Sequence, residues 1–216
     1  MIACIVGATG LVGRELVAQL QQDARFSAVH VMVRRLDAAF SAAGQSKITQ
    51  HQVDFEHIAQ TDWPSCNALF CALGTTIKSA GSQDAFRQVD VDYVVACAKR
   101  ARQSGATQLA VVSALGASVK SGTFYSRVKG EMEGAVASLG YHGVTIVRPS
   151  FLAGQRREHR PGERFMLAVM QVGNHFLPKR YRSVQAAAVA HCLRAAVAEN
   201  RQGVTLIESD QISSRC

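Results

Sequence analysis

Three glycines at three-residue spacing, close to the first residue of the sequence, constrain the fold more than any other feature. The apolar run 2–6 ends at Gly7, and Gly10 and Gly13 follow at the start of a helical pattern. In a strand–turn–helix unit the first glycine permits the turn, the second lets a pyrophosphate approach the backbone, and the third lets helix and strand pack closely. The free N–H groups at the helix start then bind the diphosphate, where the helix dipole favours an anion. This GxxGxxG pattern therefore predicts a dinucleotide-binding turn.

Composition limits the class of protein. Of the 216 residues 48% are hydrophobic and 19% are charged, which predicts one globular domain over residues 1–216. No stretch is long and apolar enough for a membrane span, and we find no signal-peptide pattern, so we expect a cytoplasmic protein without a membrane partner. The net charge of +8 would suit nucleic acid, but neither a run of five like charges nor an aromatic-interleaved basic stripe occurs. An anionic cofactor and a polar or anionic small-molecule substrate explain the excess as easily.

Strand and helix patterns alternate along the chain. Strand patterns follow at 29–33, 48–53, 68–72, 109–112, 144–147 and 204–207, and helical patterns at 83–103, 124–139 and 184–198. This order predicts an α/β protein, a Rossmann-like three-layer αβα sandwich with a mostly parallel, doubly wound sheet. Ligands bind beyond the carboxyl ends of such strands. The polar, arginine-rich segment 150–182, with one helix near 164–172, is predicted to be a small substrate-side insertion.

The ends of the second and third strands carry charged residues that bear on the cofactor. Arg34 and Arg35 follow the second strand, 21 residues beyond Gly13, where an NAD enzyme places Asp or Glu to hold the ribose 2′-hydroxyl. Basic residues there suit a 2′-phosphate, so we favour NADP(H) over NAD(H), although a solvated arginine pair in a loop is the alternative. Asp54, at the end of the third strand, could accept from an adenine amine or simply start a turn.

A serine, a tyrosine and a lysine are candidates for proton transfer. Tyr125 and Lys129 are four residues apart and share one face of the 124–139 helix, and Ser113 ends the preceding strand. Carbonyl reduction needs a group that protonates the oxygen as hydride arrives. A tyrosine can donate that proton, a nearby ammonium lowers its pKa, and a serine can hydrogen-bond the same oxygen. A half-buried tyrosine beside a solvated lysine is the alternative for this common pattern.

Two further groups of side chains give weaker signals. His51 and His57 are six residues apart and lack a second pair, so no metal site is predicted. The insertion carries four arginines that could clamp a carboxylate or phosphate on a substrate, or could equally pair with the neighbouring acids Glu158 and Glu163. These arginines are Arg156, Arg157, Arg160 and Arg164.

The motifs together resemble those of the atypical short-chain dehydrogenases/reductases. The resemblance rests on the segment 7–13, Ser113, the segment 125–129 and Arg148-Pro149. More closely, the chain resembles the HIV Tat-interacting protein family and its bacterial relatives, through the segments 73–76, 125–131 and 160–163, over nearly the full length. The resemblance implies one Rossmann-like domain that binds NADPH, and it leaves open whether the protein is a reductase or a cofactor-binding regulator.

The resemblance also assigns roles to residues. It implies that Tyr125 and Lys129 are catalytic with assistance from Ser113, and that Gly74 lines the nicotinamide ribose. One departure is Asp90, because many relatives carry an asparagine there within a VNV pattern and this chain reads VDV. The long helices 83–103 and 124–139 could pair in a homodimer, as in some relatives. The predicted cofactor-binding residues are Gly7, Thr9, Gly10, Leu11, Val12, Arg34, Arg35, Asp54, Leu73, Gly74, Lys129 and Pro149.

Two functional hypotheses follow from these residues. The first is an NADPH-dependent oxidoreductase that reduces a small carbonyl compound with Tyr125 as proton donor. The second is an NADPH-binding sensor or partner-binding protein without turnover. The intact Ser113, Tyr125 and Lys129 favour the enzyme, because a sensor would need only the glycine turn and Arg34.

Overall fold

The computed structural model describes three stretches of the chain, residues 1–41, 46–153 and 178–212. The predicted helix near 164–172 lies outside the described residues. The division into one domain with an insertion at 150–182 stays a prediction, because only the two ends of that segment are described.

Parallel strands form the centre of the molecule. They are β1 (Ile2–Val6), β2 (Ala28–Val33), β3 (Ile48–Gln52), β4 (Ala68–Cys71), β5 (Gln108–Val112), β6 (Gly143–Arg148), β7 (Leu152–Ala153), β8 (Val184–Gln185) and β9 (Gly203–Glu208). Seven of them make one sheet in the order β3-β2-β1-β4-β5-β6-β9, with every neighbouring pair parallel. The short strands β7 and β8 pair separately.

Helices connect these strands, as the alternating pattern predicts. They are α1 (Leu11–Gln22), α2 (Ile77–Ala80), α3 (Gln83–Arg87), α4 (Val94–Gln103), α5 (Phe124–Ala137) and α6 (Ala186–Ala198). A π-helical turn, Gln88–Tyr93, joins α3 to α4. Short 3₁₀ turns lie at Ala38–Phe40, Ile58–Gln60, Lys179–Tyr181 and Ser209–Gln211.

The sheet separates two apolar clusters. Because successive side chains of a strand point to opposite faces, Ile5 of β1 packs with Leu16 of α1 and Leu193 of α6. Its neighbour Cys4 belongs to the opposite cluster, which contains Met132 of α5 and apolar residues of α4. Helices therefore cover both faces of the sheet, and the predicted three-layer, doubly wound α/β fold is confirmed.

The helix predicted over 83–103 differs from its expected form. The structure continues α3 into α4 through the π turn, whose wider spacing brings Asp90 to full burial. A regular helical period cannot reveal such a turn, because the apolar pattern on either side of it stays helical. The helix predicted over 184–198 begins two residues later, at Ala186, since Val184 and Gln185 pair with β7 instead.

The turn between β1 and α1 depends on close backbone packing. Gly7 adopts a φ of 79°, in the region that favours glycine, and its carbonyl oxygen accepts a hydrogen bond from the Gly10 N–H at 3.1 Å. A Cβ on Gly13 would lie 2.1 Å from that carbonyl oxygen and 2.6 Å from the Cα of Ala8. Only a residue without a side chain at position 13 lets the first turn of α1 sit this close to the end of β1.

This geometry predicts different losses of stability when alanine replaces Gly13 or Gly10. Gly13→Ala forces the added methyl group into backbone atoms and is expected to lower the free energy of unfolding by about 3 kcal/mol. Gly10→Ala, whose Cβ would lie 3.4 Å from the Gly7 carbonyl oxygen, is the matched control and is expected to cost less than about 1 kcal/mol. Urea unfolding followed by circular dichroism measures both. Equal losses in the two variants would contradict the packing argument.

Candidate functional site

The sheet order places a crevice between β1 and β4. The chain passes from β1 to β2 on one side and from β4 to β5 on the other, so the loops after β1 and β4 diverge at their carboxyl ends. The two loops touch at their bases, because a Cβ on Gly7 would lie 2.4 Å from the carbonyl carbon of Ala72. Leu73 and Gly74 follow directly, so the glycine turn and the loop after β4 open onto the same crevice.

The start of α1 has the features of an anion site. Gly10 is the N-cap residue and offers no side-chain cap, and the first turn of the helix contains no acidic residue. Thr9 and Gly10 are exposed, whereas Leu11 is half-buried and Val12 is buried in the core. Leu11 and Val12 can therefore offer a ligand their backbone N–H groups at the positive end of the helix dipole.

Basic residues surround the end of β2. Arg34 and Arg35 are exposed there, as their position in the sequence predicts. Arg14 was not predicted as a site residue. Its guanidinium reaches from α1 to Asp37 at 2.7 Å and to the Thr9 carbonyl oxygen at 3.1 Å. Its place directly after the third glycine was the available signal, but the helical pattern reads it only as a polar residue.

Asp54 lies at the end of β3 and caps the turn that follows. Its carboxylate accepts from the Glu56 N–H at 3.0 Å and pairs with the His57 ring at 2.8 Å. The hydrogen bond from His57 holds the pKa of Asp54 below its ordinary value, and the same contact raises the pKa of His57. The turn-forming role of Asp54 is thus observed, and its contact with adenine stays a prediction.

Tyr125 lies at the crevice end of α5. The hydroxyl of Thr123 caps this helix by accepting from the Ser126 N–H, which fixes where the helix begins. The tyrosine is 39% exposed, and its ring packs against that of Phe86 at 5.5 Å between centroids. Burial raises the pKa of the phenol, the nearby charge of Lys129 opposes that effect, and Asp90 adds to it. The side chain is therefore partly exposed, and the pKa of its phenol lies above the ordinary value.

Lys129 follows one helical turn later and forms a buried ion pair. Its Nζ lies 2.6 Å from Oδ1 of Asp90, whose side chain is fully buried. The other carboxylate oxygen of Asp90 accepts from the Thr75 N–H at 2.9 Å. Burial favours the neutral amine, but the attraction of Asp90 and Tyr125 and the contact with Asp90 outweigh it, so the pKa of Lys129 is raised. The lysine is thus a cation neutralised by a neighbouring carboxylate.

Gly74 lies directly against this ion pair. A Cβ at Gly74 would stand 3.3 Å from Asp90 Oδ1 and 3.7 Å from Lys129 Nζ. The loop after β4, the π turn and α5 therefore meet at one point of the crevice. The departure from the VNV pattern was the sequence signal for Asp90, but its direct contact with Lys129 was not predicted.

Ser113 has a different partner from the one that sequence analysis expected. Its hydroxyl, 4% exposed, donates to Oε1 of Glu133 at 2.5 Å. Arg148 donates to both oxygens of the same carboxylate, at 2.9 Å and 2.5 Å, and to Glu208 at 2.9 Å. Because a serine has one O–H hydrogen, this bond competes with donation to a substrate oxygen. Structurally, Ser113 joins a buried network at the ends of β5, β6 and β9.

Some of the remaining predicted site residues are described by the structure, and others are not. Pro149 is buried, and its carbonyl oxygen accepts from the Leu115 N–H at 2.9 Å, which fastens the loop after β5. Among the described residues, no group of three or more His, Cys, Asp or Glu side chains could hold a metal ion. The four arginines of the insertion lie outside the described residues, namely Arg156, Arg157, Arg160 and Arg164.

Solved structures with the same architecture contain dinucleotides. MoeE5 in complex with UDP-glucose and NAD is similar with a TM-score of 0.70 and 13% identity, over 98% of this chain and 79% of that one. The Bordetella bronchiseptica enzyme WbmF in complex with NAD⁺ gives a TM-score of 0.68 and 13% identity, over 99% of this chain and 76% of that one. At this identity the likeness shows the shared fold alone.

Curated relatives correct the expected location. A protein of Eremothecium gossypii named FMP52, mitochondrial, is 31% identical over 99% of this chain and 96% of its own length. A protein of Emericella nidulans named fmp52, mitochondrial, is 35% identical over 74% of this chain and 70% of its own length. The expectation of a cytoplasmic protein is wrong by this comparison, since these names point to mitochondria. None of the helices in the described ranges has the length and apolar character needed to cross a bilayer.

Two matches establish the family. The protein HTATIP2 of Rattus norvegicus is 34% identical over 88% of this chain and 77% of its own length. A family model described as NAD(P)H-binding matches residues 7–200. With the sheet order and the glycine turn described above, these matches confirm the resemblance that the motifs gave. The chain belongs to the NAD(P)H-binding family of atypical short-chain dehydrogenases/reductases that includes HTATIP2 and the fungal FMP52 proteins.

Proposed function

We propose that the protein is an NADPH-dependent oxidoreductase that reduces a small carbonyl compound, with Tyr125 as proton donor. The observation that carries this proposal is the partly exposed side chain of Tyr125, one helical turn from the buried Lys129 at the crevice. A general acid must present its proton where the reacting oxygen can reach it. The position of Tyr125 suits this requirement, and a tyrosine keeps its proton at neutral pH.

The residues of the crevice fit a dinucleotide. The uncapped N-terminus of α1, without acidic residues in its first turn, suits a pyrophosphate. Gly10 leaves space beside the turn: apart from its chain neighbours, the described residues bring only the Gly7 carbonyl oxygen within 4 Å of a Cβ built there, at 3.4 Å. Thr9, Gly10, Leu11 and Val12 would hold the phosphates, and Gly74 would line the nicotinamide ribose.

The charges at the end of β2 support NADPH over NADH. Arg34 and Arg35 are exposed where the adenosine ribose would lie, and Arg14 adds a third guanidinium, held by Asp37. A guanidinium binds a phosphate through paired, charge-assisted hydrogen bonds, whereas a ribose hydroxyl gains little from it. A 2′-phosphate is therefore the group that this cluster would recognise.

The chemical step follows from the position of the phenol. A reduced nicotinamide, when bound, supplies a hydride to the carbonyl carbon of the substrate. Tyr125 donates its proton to the carbonyl oxygen, the product is an alcohol, and the phenolate regains a proton from solvent. Lys129, as a cation one turn away, stabilises that phenolate in part, because the ion pair with Asp90 weakens its effect.

Ser113 is assigned a supporting role in this proposal. Its hydroxyl donates to Glu133 inside the network with Arg148, so the substrate oxygen would depend on Tyr125 alone for its proton. The serine then serves to fix α5 against the strand ends, and Tyr125 is carried by that helix.

A second candidate function is an NADPH-dependent sensor without turnover. The observation in its favour is the ion pair of Asp90 with Lys129, because a neutralised lysine does less to activate the phenol. A sensor would bind NADPH as tightly as a reductase and would leave every carbonyl substrate unreduced.

Replacing the phenol separates the two functions. In Tyr125→Phe, NADPH oxidation with a panel of small aldehydes, ketones and quinones is expected to fall about 10²- to 10⁴-fold, because the proton donor is lost. NADPH affinity measured by calorimetry is expected to stay within about twofold, since the phenol contributes little to cofactor binding. Tyr93→Phe, which keeps the ring contact with Phe55 at 5.8 Å, is the control. NADPH binding without turnover of any carbonyl by the wild-type protein would support the sensor instead.

Removing one arginine tests the choice of cofactor. Arg34→Ala is expected to weaken NADPH binding about tenfold, because one charge-assisted contact with the 2′-phosphate is lost. NADH binding is expected to remain unchanged. Lys99→Ala, which removes the same charge from an exposed position on α4, controls for long-range electrostatics. An equal loss for both cofactors would argue against a 2′-phosphate site at Arg34.

Because Ser113 has a supporting role, replacing it is expected to lower protein stability more than it lowers turnover. Ser113→Ala is expected to lower the free energy of unfolding by about 1–3 kcal/mol, because the Glu133 carboxylate loses a buried hydrogen bond. Ser138→Ala removes an exposed hydroxyl that donates to the Ala135 carbonyl oxygen, and it is expected to cost less than about 1 kcal/mol. Thermal unfolding and turnover are measured on both variants. A loss of turnover as large as in Tyr125→Phe, with stability unchanged, would instead indicate that Ser113 hydrogen-bonds the substrate oxygen.

A further inference from the structure

The ion pair of Asp90 and Lys129 connects three separate parts of the crevice. Asp90 belongs to the π turn, Lys129 to α5, and the Thr75 N–H that donates to Asp90 belongs to the loop after β4. The side chains of Asp90 and Lys129 are 0% and 6% exposed. Burying two charges is costly unless they are paired, and here Lys129 Nζ and Asp90 Oδ1 lie 2.6 Å apart.

The π turn explains how Asp90 reaches this position. It inserts extra backbone between α3 and α4, so Asp90 and Val91 both turn towards the protein interior. Isolated π turns in helices frequently occur at functional sites. Asp92, two residues further on, stays exposed and pairs with Arg87 at 3.1 Å. The same short segment thus carries one buried acid at the crevice and one exposed acid away from it.

We propose that Asp90 is a positioning residue that binds the Lys129 ammonium and thereby weakens the stabilisation that this ammonium gives to the Tyr125 phenolate. The proposal rests on the proposed function for its consequence in catalysis. The effect of Asp90 on the protonation of Tyr125 can be measured without a substrate.

Within the ranges 1–41, 46–153 and 178–212, few charged groups other than this pair act on the phenol. From the strand side, the Cys71 thiol faces Lys129, and burial raises its pKa to about 12, so it stays neutral. From α3, the ring of Phe86 contributes an apolar contact. The other acids of α5 are paired elsewhere, Glu131 with Arg87 and Glu133 with Arg148.

Lys129 and Asp90 act on the phenol of Tyr125 in opposite directions. A lone ammonium beside a phenol stabilises the phenolate and lowers the pKa of the tyrosine. An ammonium in contact with a carboxylate has its field largely cancelled, and a phenolate would also meet the carboxylate itself. Burial, Asp90 and Lys129 together leave the pKa of Tyr125 above its ordinary value. The phenol therefore keeps its proton up to a higher pH than an ordinary tyrosine does.

The test is a titration of Tyr125 in the full chain without cofactor. Phenolate absorbance near 295 nm is followed against pH, and subtracting the curve of Tyr125→Phe isolates this residue. In the wild-type protein the midpoint is expected above the ordinary value for tyrosine of about 10. In Asp90→Asn it is expected to fall by about one pH unit or more, because the Lys129 charge is no longer cancelled. Asp92→Asn, the matched acid on the same turn, is expected to leave the midpoint unchanged.

Several outcomes would overturn the proposal. A wild-type midpoint at or below the ordinary value would do so whatever the variants show, including the case in which Asp90→Asn fails to fold. An unshifted midpoint in folded Asp90→Asn, or an equal shift in Asp92→Asn, would do so as well. Where a carbonyl substrate is turned over, the alkaline limb of the reduction profile is expected to move with the titration. Absence of turnover would contradict the reductase and would leave the titration result standing.

Discussion

The close approach of the turn after β1 to the loop after β4 determines where the groups of the crevice lie. Gly7 has a φ of 79°, and a Cβ there would lie 2.4 Å from the Ala72 carbonyl carbon. Because no side chain separates the two backbones, β1 and β4 stay paired as far as Val6 and Cys71 while their connections diverge to opposite sides. The start of α1 and Gly74 are thereby brought to one crevice. The helix start that is proposed to bind phosphates and the ion pair against Gly74 therefore lie at the same crevice.

Two buried charge networks then fix the helix that carries Tyr125. Lys129 joins α5 to Asp90 in the π turn, and Glu133, one turn further, joins it to Arg148 at the end of β6. Since Tyr125, Lys129 and Glu133 follow at four-residue spacing, they lie along one side of α5. Both anchors therefore act on the helix face that presents the phenol. Rotating α5 to move the phenol would separate both ion pairs in surroundings with little water, so its orientation is strongly constrained.

The sequence predicts the local parts of this arrangement and misses those that depend on distant contacts. The glycine turn and the alternation of strands and helices are set by neighbouring residues, which is why the fold class and the crevice could be inferred. The hydroxyl of Ser113 goes to Glu133, and the ammonium of Lys129 goes to Asp90, through contacts between elements that no local pattern encodes. The π turn is hidden for the same reason, because the apolar period continues on both sides of it.

The same ion pair bears on both candidate functions. A sensor needs the glycine turn and the arginines at the end of β2, and it has no use for a phenol at the crevice. A reductase uses the phenol proton in every cycle and must regain it after each one. Asp90 weakens the support that Lys129 gives to the transient phenolate, and this affects reduction and oxidation alike, because both pass through the same phenolate. The carboxylate contributes to a reductase through structure instead, because it joins the π turn to Lys129 of α5 and, through the Thr75 N–H, holds the loop that contains Gly74.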